Sequence, residues 1–372
     1  MATLLLSLPT EILHIIAEFS CDHDENEALL HFRATCRRVQ AATRRAWVFE
    51  YFTFRKLEFS VTKLTQLKNV AEVPEFANAV TSIDIRGQCS EELRKSENAQ
   101  GFLYPTRTMF MMKYAPLLAC ALQNLRNLRD VQFLTLGEAN EASEDDSFIT
   151  FSDIFAMVTL ALQACGLRPR SLSNEPSDRC GSTGDFRVND LSIMPTLKDC
   201  FSELESVEWI LPETTKRRQA QETATHFAIG LSQMMALTTL ELSFQTRWSI
   251  VFFKDIVEFI YLPQLKNVTL GALDCSTEDL NCFLLKHSDS LRSLQLYSFE
   301  LLDGAIRDLL ILLRGSFHLT GLTFDNVCVP NGTVNFPGVV TTDGMINIKG
   351  SREINNVLAK VLERVRFRPF DK

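Results

Sequence analysis

The chain has 372 residues, of which 46% are hydrophobic and 23% are charged, and its net charge is −8. These values are ordinary for a folded globular protein of one elongated or two compact domains, and the acidic balance argues against general nucleic-acid binding. No stretch approaches the roughly 18 apolar residues of a membrane span, and the N-terminus does not have a signal-peptide pattern, so we expect no membrane association. The ten cysteines are scattered without a C-x-x-C pair, which favours reduced thiols in the cytoplasm or nucleus.

The N-terminal stretch predicts two or three short helices. Pro9 fits the first turn of a helix, where its missing N–H costs nothing, and Glu11 follows where the helix dipole favours a carboxylate. Apolar residues then recur at three- and four-residue spacing, at Ile12, Leu13, Ile15, Ile16 and Phe19. After a polar run, a second helix carries Leu29, Leu30, Phe32 and Cys36. A unit this small rarely buries its own core, so we predict that it completes its burial on another surface.

The same residues resemble the F-box motif. The resemblance rests on Leu8, Pro9, Glu11, Ile12, Leu13, Ile16, Leu29, Leu30, Arg33, Cys36 and Arg37. Thr35 and Val39 depart from the family pattern, which usually has valine and often tryptophan at these positions. In this family the motif is a three-helix unit that binds the Skp adaptor of Skp–cullin–F-box ubiquitin ligases.

The resemblance implies that residues 1–48 form an F-box motif and that ten of its side chains contact the adaptor. These adaptor-binding residues are Leu8, Pro9, Glu11, Ile12, Leu13, Ile16, Leu30, Arg33, Cys36 and Arg37. The alternative is an N-terminal helical hairpin that packs on its own protein.

The segment that follows, residues 49–124, is predicted to be a junction that contains helices and a first degenerate repeat. Residues 46–70 are aromatic and half alternating, a pattern that does not separate helix from strand. The apolar spacing predicts a helix over 107–124, which Pro116 should kink or interrupt.

Three further segments precede the regular part of the chain. The acidic stretch 138–146 predicts a solvated loop, and a helix is predicted from about Ser152 to Cys165. Residues 168–190 contain several Pro, Gly, Ser and Asp, which predicts a long irregular loop.

An L-x-x-L-x-L pattern recurs beyond residue 200, with first positions 33, 28, 26 and 28 residues apart. Its members are Leu204/Val207/Trp209, Leu237/Leu240/Leu242, Leu265/Val268/Leu270, Leu291/Leu294/Leu296 and Leu319/Leu322/Phe324. Helical patterns lie between them. Ser276 and Asp279 resemble a capping box, and Asp303 can cap the helix that carries Ile306 and Leu309. One such unit cannot bury its own strand and helix, so the units must stack.

This pattern resembles a long, helix-containing leucine-rich repeat, and the clusters at 80–85 and 128–133 resemble degenerate members of the same array. Since side chains alternate along a strand, the residue between the last two apolar positions should face the concave surface. These candidate target-binding residues are Asp84, Gln132, Glu208, Glu241, Thr269, Gln295 and Thr323. The loops at 138–147 and 168–190 are alternative target sites.

The C-terminal segment predicts a strand near Ile346 and Ile348 and a helix over 352–366, which we interpret as the final repeat and a cap. The predicted fold is therefore α/β, with an N-terminal three-helix F-box motif followed, over residues 125–372, by a curved leucine-rich-repeat-like solenoid whose parallel strands line its concave face. The alternative is a non-repetitive α/β domain.

No motif of an enzyme, phosphate loop, dinucleotide site or metal site is present, and the six histidines are isolated in sequence. We therefore expect no cofactor, no metal and no catalysis. The main hypothesis is a substrate-recognition adaptor whose partners are a Skp-type protein, through it a cullin ligase, and an unknown target protein. The alternatives are an interaction scaffold that does not direct degradation and an enzyme whose site is assembled from distant residues.

Overall fold

The structure is a computed structural model. It describes residues 8–21, 26–87, 107–135, 151–176, 198–211, 217–244, 249–303, 306–330, 332–335, 346–364 and 366–369. The stretch 138–147 and most of the predicted loop 168–190 lie outside these ranges.

Helices and strands alternate along most of the described chain. Four helices come first, α1 (Thr10–Cys21), α2 (Asn26–Ala34), α3 (Arg37–Ala42) and α4 (Arg44–Phe52). The later helices are α5 (Val61–Glu72), α6 (Pro74–Ala79), α7 (Arg107–Leu122), α8 (Phe151–Ala164), α9 (Arg217–Ser232), α10 (Ser249–Phe259), α11 (Thr277–Lys286), α12 (Ile306–Ser316) and α13 (Ser351–Arg364). The strands are β1 (Phe54–Glu58), β2 (Ser82–Gly87), β3 (Asp130–Thr135), β4 (Ser171–Pro176), β5 (Ser206–Leu211), β6 (Thr239–Phe244), β7 (Asn267–Gly271), β8 (Asp274–Cys275), β9 (Ser293–Leu301), β10 (Gly321–Val329), β11 (Gly332–Asn335), β12 (Ile346–Lys349) and β13 (Arg366–Pro369).

The thirteen described strands form one mostly parallel sheet, in which the strand order from β1 to β10 follows the order of the chain. Strand β8 is a short segment that pairs with β9. Beyond β10 the pairing changes, because β11 and β12 both pair antiparallel with β10, and β13 pairs antiparallel with β11. The predicted α/β class is confirmed, and the described C-terminal end of the sheet is closed by antiparallel strands.

The repeating apolar positions align in direct register across the sheet. Ile83, Val131, Leu172, Val207, Leu240, Val268, Leu294 and Leu322 follow one another on neighbouring strands. Each of these side chains is no more than 2% exposed, and all belong to one hydrophobic cluster that the helices share. The recurring pattern therefore marks the buried positions of the sheet, because the helices cover the apolar face of every strand.

Strand β4 contradicts the predicted irregular loop at 168–190. The repeat register puts Pro169 and Asn174 where the other units have apolar residues, which hides the pattern. Leu172 keeps the central apolar position and is fully buried. The side chain of Asn174 continues the strand pairing, because its Oδ1 accepts a hydrogen bond from the N–H of Ile210 at 2.6 Å and its Nδ2 donates to the carbonyl of Ile210 at 3.0 Å.

In the first half the structure resolves one ambiguous segment and excludes the predicted interruption at Pro116. The sheet already begins at β1, inside the segment whose pattern was ambiguous, and Leu57 belongs to the main hydrophobic cluster. Pro116 does not end α7, which continues through it to Leu122. Pro116 is exposed, so its ring faces away from the packed side of the helix.

The predicted cap at Ser276 and the predicted C-terminal helix fit the structure. Ser276 caps α11 by accepting the N–H of Asp279 at 3.0 Å, as predicted. Asp303, the residue predicted to cap α12, accepts the N–H of Thr277 at 2.9 Å and so binds the start of α11. The predicted helix over 352–366 is α13.

The four N-terminal helices form a separate small core and meet the sheet domain through α6. Leu13, Val39 and Ala42 make up this second hydrophobic cluster. The ring of Phe52 stacks on that of Phe76 at 4.2 Å between centroids, and Arg44 binds both carboxylate oxygens of Glu75. These contacts attach the helical unit at the end of the sheet that begins with β1.

Candidate binding surfaces

The first helix of the N-terminal unit divides its apolar residues between a buried and an exposed side. Leu13 and Ala17 are fully buried, whereas Ile12 and Ile15 are 40% and 46% exposed. Because residues three apart lie on one helix face, these two isoleucines form an apolar stripe on the outside of the unit. The unit therefore has both a small core of its own and apolar surface left over.

The second helix and the start of the first also carry exposed residues. Leu29 is fully buried, and its neighbour Leu30 is 45% exposed. Helix α1 begins at Thr10, so Pro9 lies just before the helix rather than in its first turn, and its carbonyl accepts the N–H of Ile12 at 3.1 Å. Glu11 is in the first turn, as predicted, and is exposed.

Arg33 is directed into the helical unit. Its Nη1 donates to the carbonyl of Gln40 and to Oγ1 of Thr43, both at 3.2 Å, and its guanidinium lies 4.5 Å from the centre of the Trp47 ring. Partial burial, followed by the nearby charge of Arg44, lowers the pKa of Arg33. The side chain thus fastens α2 to α3 and α4.

The ten predicted adaptor-binding residues therefore separate by exposure. Those on the surface are Pro9, Glu11, Ile12, Leu30 and Arg37. Those partly buried within the unit are Leu8, Ile16, Arg33 and Cys36. Leu13 is fully buried, and so is Val39, at the position where the resembled family often has tryptophan. The Sγ of Cys36 accepts the N–H of Val39 at 3.5 Å and caps α3.

The seven predicted target-binding residues lie in one row across the sheet. The complete row is Lys56, Asp84, Gln132, Ser173, Glu208, Glu241, Thr269, Gln295, Thr323 and Asn347. The sequence missed Lys56 and Ser173 because β1 and β4 were not recognised. It missed Asn347 because this residue belongs to the antiparallel β12. Asp84 is only 5% exposed and does not fit the expectation of an exposed ribbon.

We call the side of the sheet that carries this row the outward face. Glu208 and Glu241 are direct neighbours on it, on β5 and β6. Glu208 is exposed and Glu241 is half-buried. Burial, followed by repulsion from Glu208, raises the pKa of Glu241. Like charges that face each other on adjacent strands destabilise the pair, so this part of the outward face is suited to a cation.

The outward face changes shape near the end of β7. The ring of Tyr297 lies directly over Gly271, where any Cβ would overlap it. The next residues along β7, β9 and β10 all have a positive φ, at Ala272, Ser298 and Asn326. Three adjacent strands thus share an unusual backbone conformation at the same level, in the left-handed region that Ala and Ser rarely adopt.

No group of three or more His, Cys, Asp or Glu side chains in the described ranges is placed to hold a metal ion. Within the same ranges, no helix is long and apolar enough to cross a membrane. No protein-family model matches the chain, and no curated protein sequence matches it. The function of the chain is therefore inferred from the two surfaces described above.

Proposed function

We propose that this chain is a substrate-recognition adaptor of a Skp–cullin–F-box ubiquitin ligase. In this proposal the N-terminal helices bind a Skp-type adaptor, and a leucine-rich-repeat-like solenoid, with its parallel strands on the concave side, holds the target. The chain would act where these ligases work, in the cytoplasm or nucleus. It would hold the target close to the conjugating enzyme and would not itself catalyse ubiquitin transfer.

The observation that carries the proposal is the exposed apolar surface of a helical unit that already has its own core. Ile12, Ile15 and Leu30 stand outside the cluster of Leu13, Val39 and Ala42. Apolar side chains clustered on the surface of a small unit commonly mark a protein–protein interface. The leucine spacing and the register of β2 to β10 support the second half of the proposal, because each strand and helix adds one similar unit to the stack.

The test is copurification of a Skp-type adaptor with the full chain. The variant Ile12→Ala/Leu30→Ala removes two exposed contacts and leaves the buried residues of the unit unchanged. We expect it to bind the adaptor at least about tenfold more weakly, since central apolar contacts commonly contribute on the order of 2 kcal/mol.

The matched control is Leu285→Ala/Ile311→Ala, which removes the same residue types from exposed positions, 47% and 52% exposed, on α11 and α12. The control should bind the adaptor like the native chain. Equal binding by all three proteins, at unchanged circular dichroism, would refute the proposed docking surface.

A further inference from the structure

The outward face carries no Lys or Arg on seven consecutive strands. From β3 to β10, leaving aside the short β8, the outward positions hold Ser, Thr, Asn, Gln, acidic and a few apolar side chains. Acidic side chains on this face include Asp130, Glu208, Glu241, Glu300 and Asp325. The nearest basic positions on this face are Arg86 on β2 and Lys349 on β12. The strands of this face are therefore acidic, and the nearest cations along them are at their starts, where Arg129, Arg170, Lys266 and Arg292 directly precede β3, β4, β7 and β9.

Glu208 is exposed and Glu241 is half-buried, and most of their neighbours on the same face are small, Ile210 being the larger one. Ser206 and Thr239 precede them by two residues, and Ser243 follows Glu241 by two. Neighbouring strands lie about 4.8 Å apart, so two in-register carboxylates can bind one guanidinium or ammonium group together. Such a cation would relieve the repulsion that the two glutamates exert on each other in the free protein.

We propose that the outward face binds a basic, extended segment of the target protein, with Glu208 and Glu241 as the central contact for its Arg or Lys side chains. This inference rests on the proposed function, since it specifies the chemistry of the target. Seven strands span roughly 29 Å, which an extended peptide covers with about nine residues.

The inference is tested with a fluorescein-labelled nine-residue peptide of alternating Arg and Ser, titrated with the full chain and followed by anisotropy. The comparison peptide has Glu in place of Arg. The variant Glu208→Gln/Glu241→Gln keeps the shape of both side chains and removes their charges. We expect it to bind the Arg peptide about fivefold more weakly than the native chain, with a weaker dependence on salt.

The control variant is Glu258→Gln/Glu363→Gln, which makes the same change in net charge at exposed positions on α10 and α13. It is needed because the net charge of −8 attracts any polycation. The control should bind the Arg peptide like the native chain. Equal weakening in both variants, or no preference of the native chain for Arg over Glu, would overturn the inference.

The adaptor experiment separates this inference from the proposed function. The variant Glu208→Gln/Glu241→Gln should still copurify with the Skp-type adaptor, because both glutamates lie on the sheet and not on the N-terminal helices. Loss of peptide binding with adaptor binding intact would support the inference. If the native chain binds the Arg peptide but not the Skp-type adaptor, the proposed function is refuted and the inference about the peptide site is retained.

Discussion

Substitution of Asn174 tests whether its side-chain amide stabilises the pairing of β4 with β5. Asn174 occupies a position that is apolar in the neighbouring units, yet its amide makes two hydrogen bonds to the backbone of Ile210. The backbone pairing of β4 with β5 ends at Ser173 and Glu208, so the side chain replaces the next rung of the ladder. Asn174→Ala should therefore leave the N–H and the carbonyl of Ile210 without protein partners.

The expected cost follows from these two bonds. A buried backbone group that loses its partner destabilises a protein by about 1–3 kcal/mol, and Ile210 is half-buried, so some water can replace the lost bonds. We expect Asn174→Ala to lower the free energy of unfolding by about 2 kcal/mol. Asn174→Leu restores the apolar pattern of the repeat but cannot bond to Ile210, and it should remain about 1 kcal/mol less stable than the native chain.

The measurement is urea unfolding followed by tryptophan fluorescence, to which Trp209, fully buried on β5 next to Ile210, contributes together with Trp47 and Trp248. Ser173→Ala is the control, since its side chain lies on the outward face, and it should change stability by less than about 0.5 kcal/mol. An Asn174→Leu variant as stable as the native chain, or more so, would refute the reasoning. It would show that the amide is a defect of the repeat and that the two hydrogen bonds contribute nothing.

Three further predictions concern single buried contacts. The Nε2 of His287 accepts the N–H of Leu262 at 3.1 Å, and burial lowers the pKa of His287 below its usual 6.5. The unfolded chain therefore binds a proton on this imidazole more readily than the folded chain, so the free energy of unfolding should fall as the pH drops below about 6.5. The variant His287→Phe should be less stable by about 1–3 kcal/mol at pH 8 and should lose less stability on acidification than the native chain. Parallel pH profiles of the two proteins in urea unfolding would contradict this. Gly271→Ala should displace the ring of Tyr297 and destabilise the chain by about 1–3 kcal/mol, and Tyr297→Ala in the same chain should remove most of that loss, as measured by thermal unfolding. Ser276→Ala should cost about 1 kcal/mol because α11 loses its N-terminal cap, and an unchanged urea midpoint would argue against the cap.

The sequence by itself determined which apolar positions align across the parallel part of the sheet. Apolar residues recur at three fixed positions, mostly leucine and valine but also Trp209 and Phe324, and the same spacing also set the register of the outward row. The alternation of strand side chains is then sufficient to place Glu208, Glu241 and Thr269 side by side on one face of the sheet. Periodicity was sufficient here because each strand contacts mainly its sequence neighbours.

Tertiary structure decided the positions where periodicity fails. Strand β4 has only Leu172 of the usual apolar set, and it is held by its neighbours and by the amide of Asn174, which no local pattern reveals. Among the N-terminal residues, the sequence could not tell the buried Leu13 from the exposed Ile12, since both fit the same amphipathic spacing. That choice depends on how α1 packs against α3, because Val39 and Ala42 form the small core that covers Leu13 and leaves Ile12 exposed.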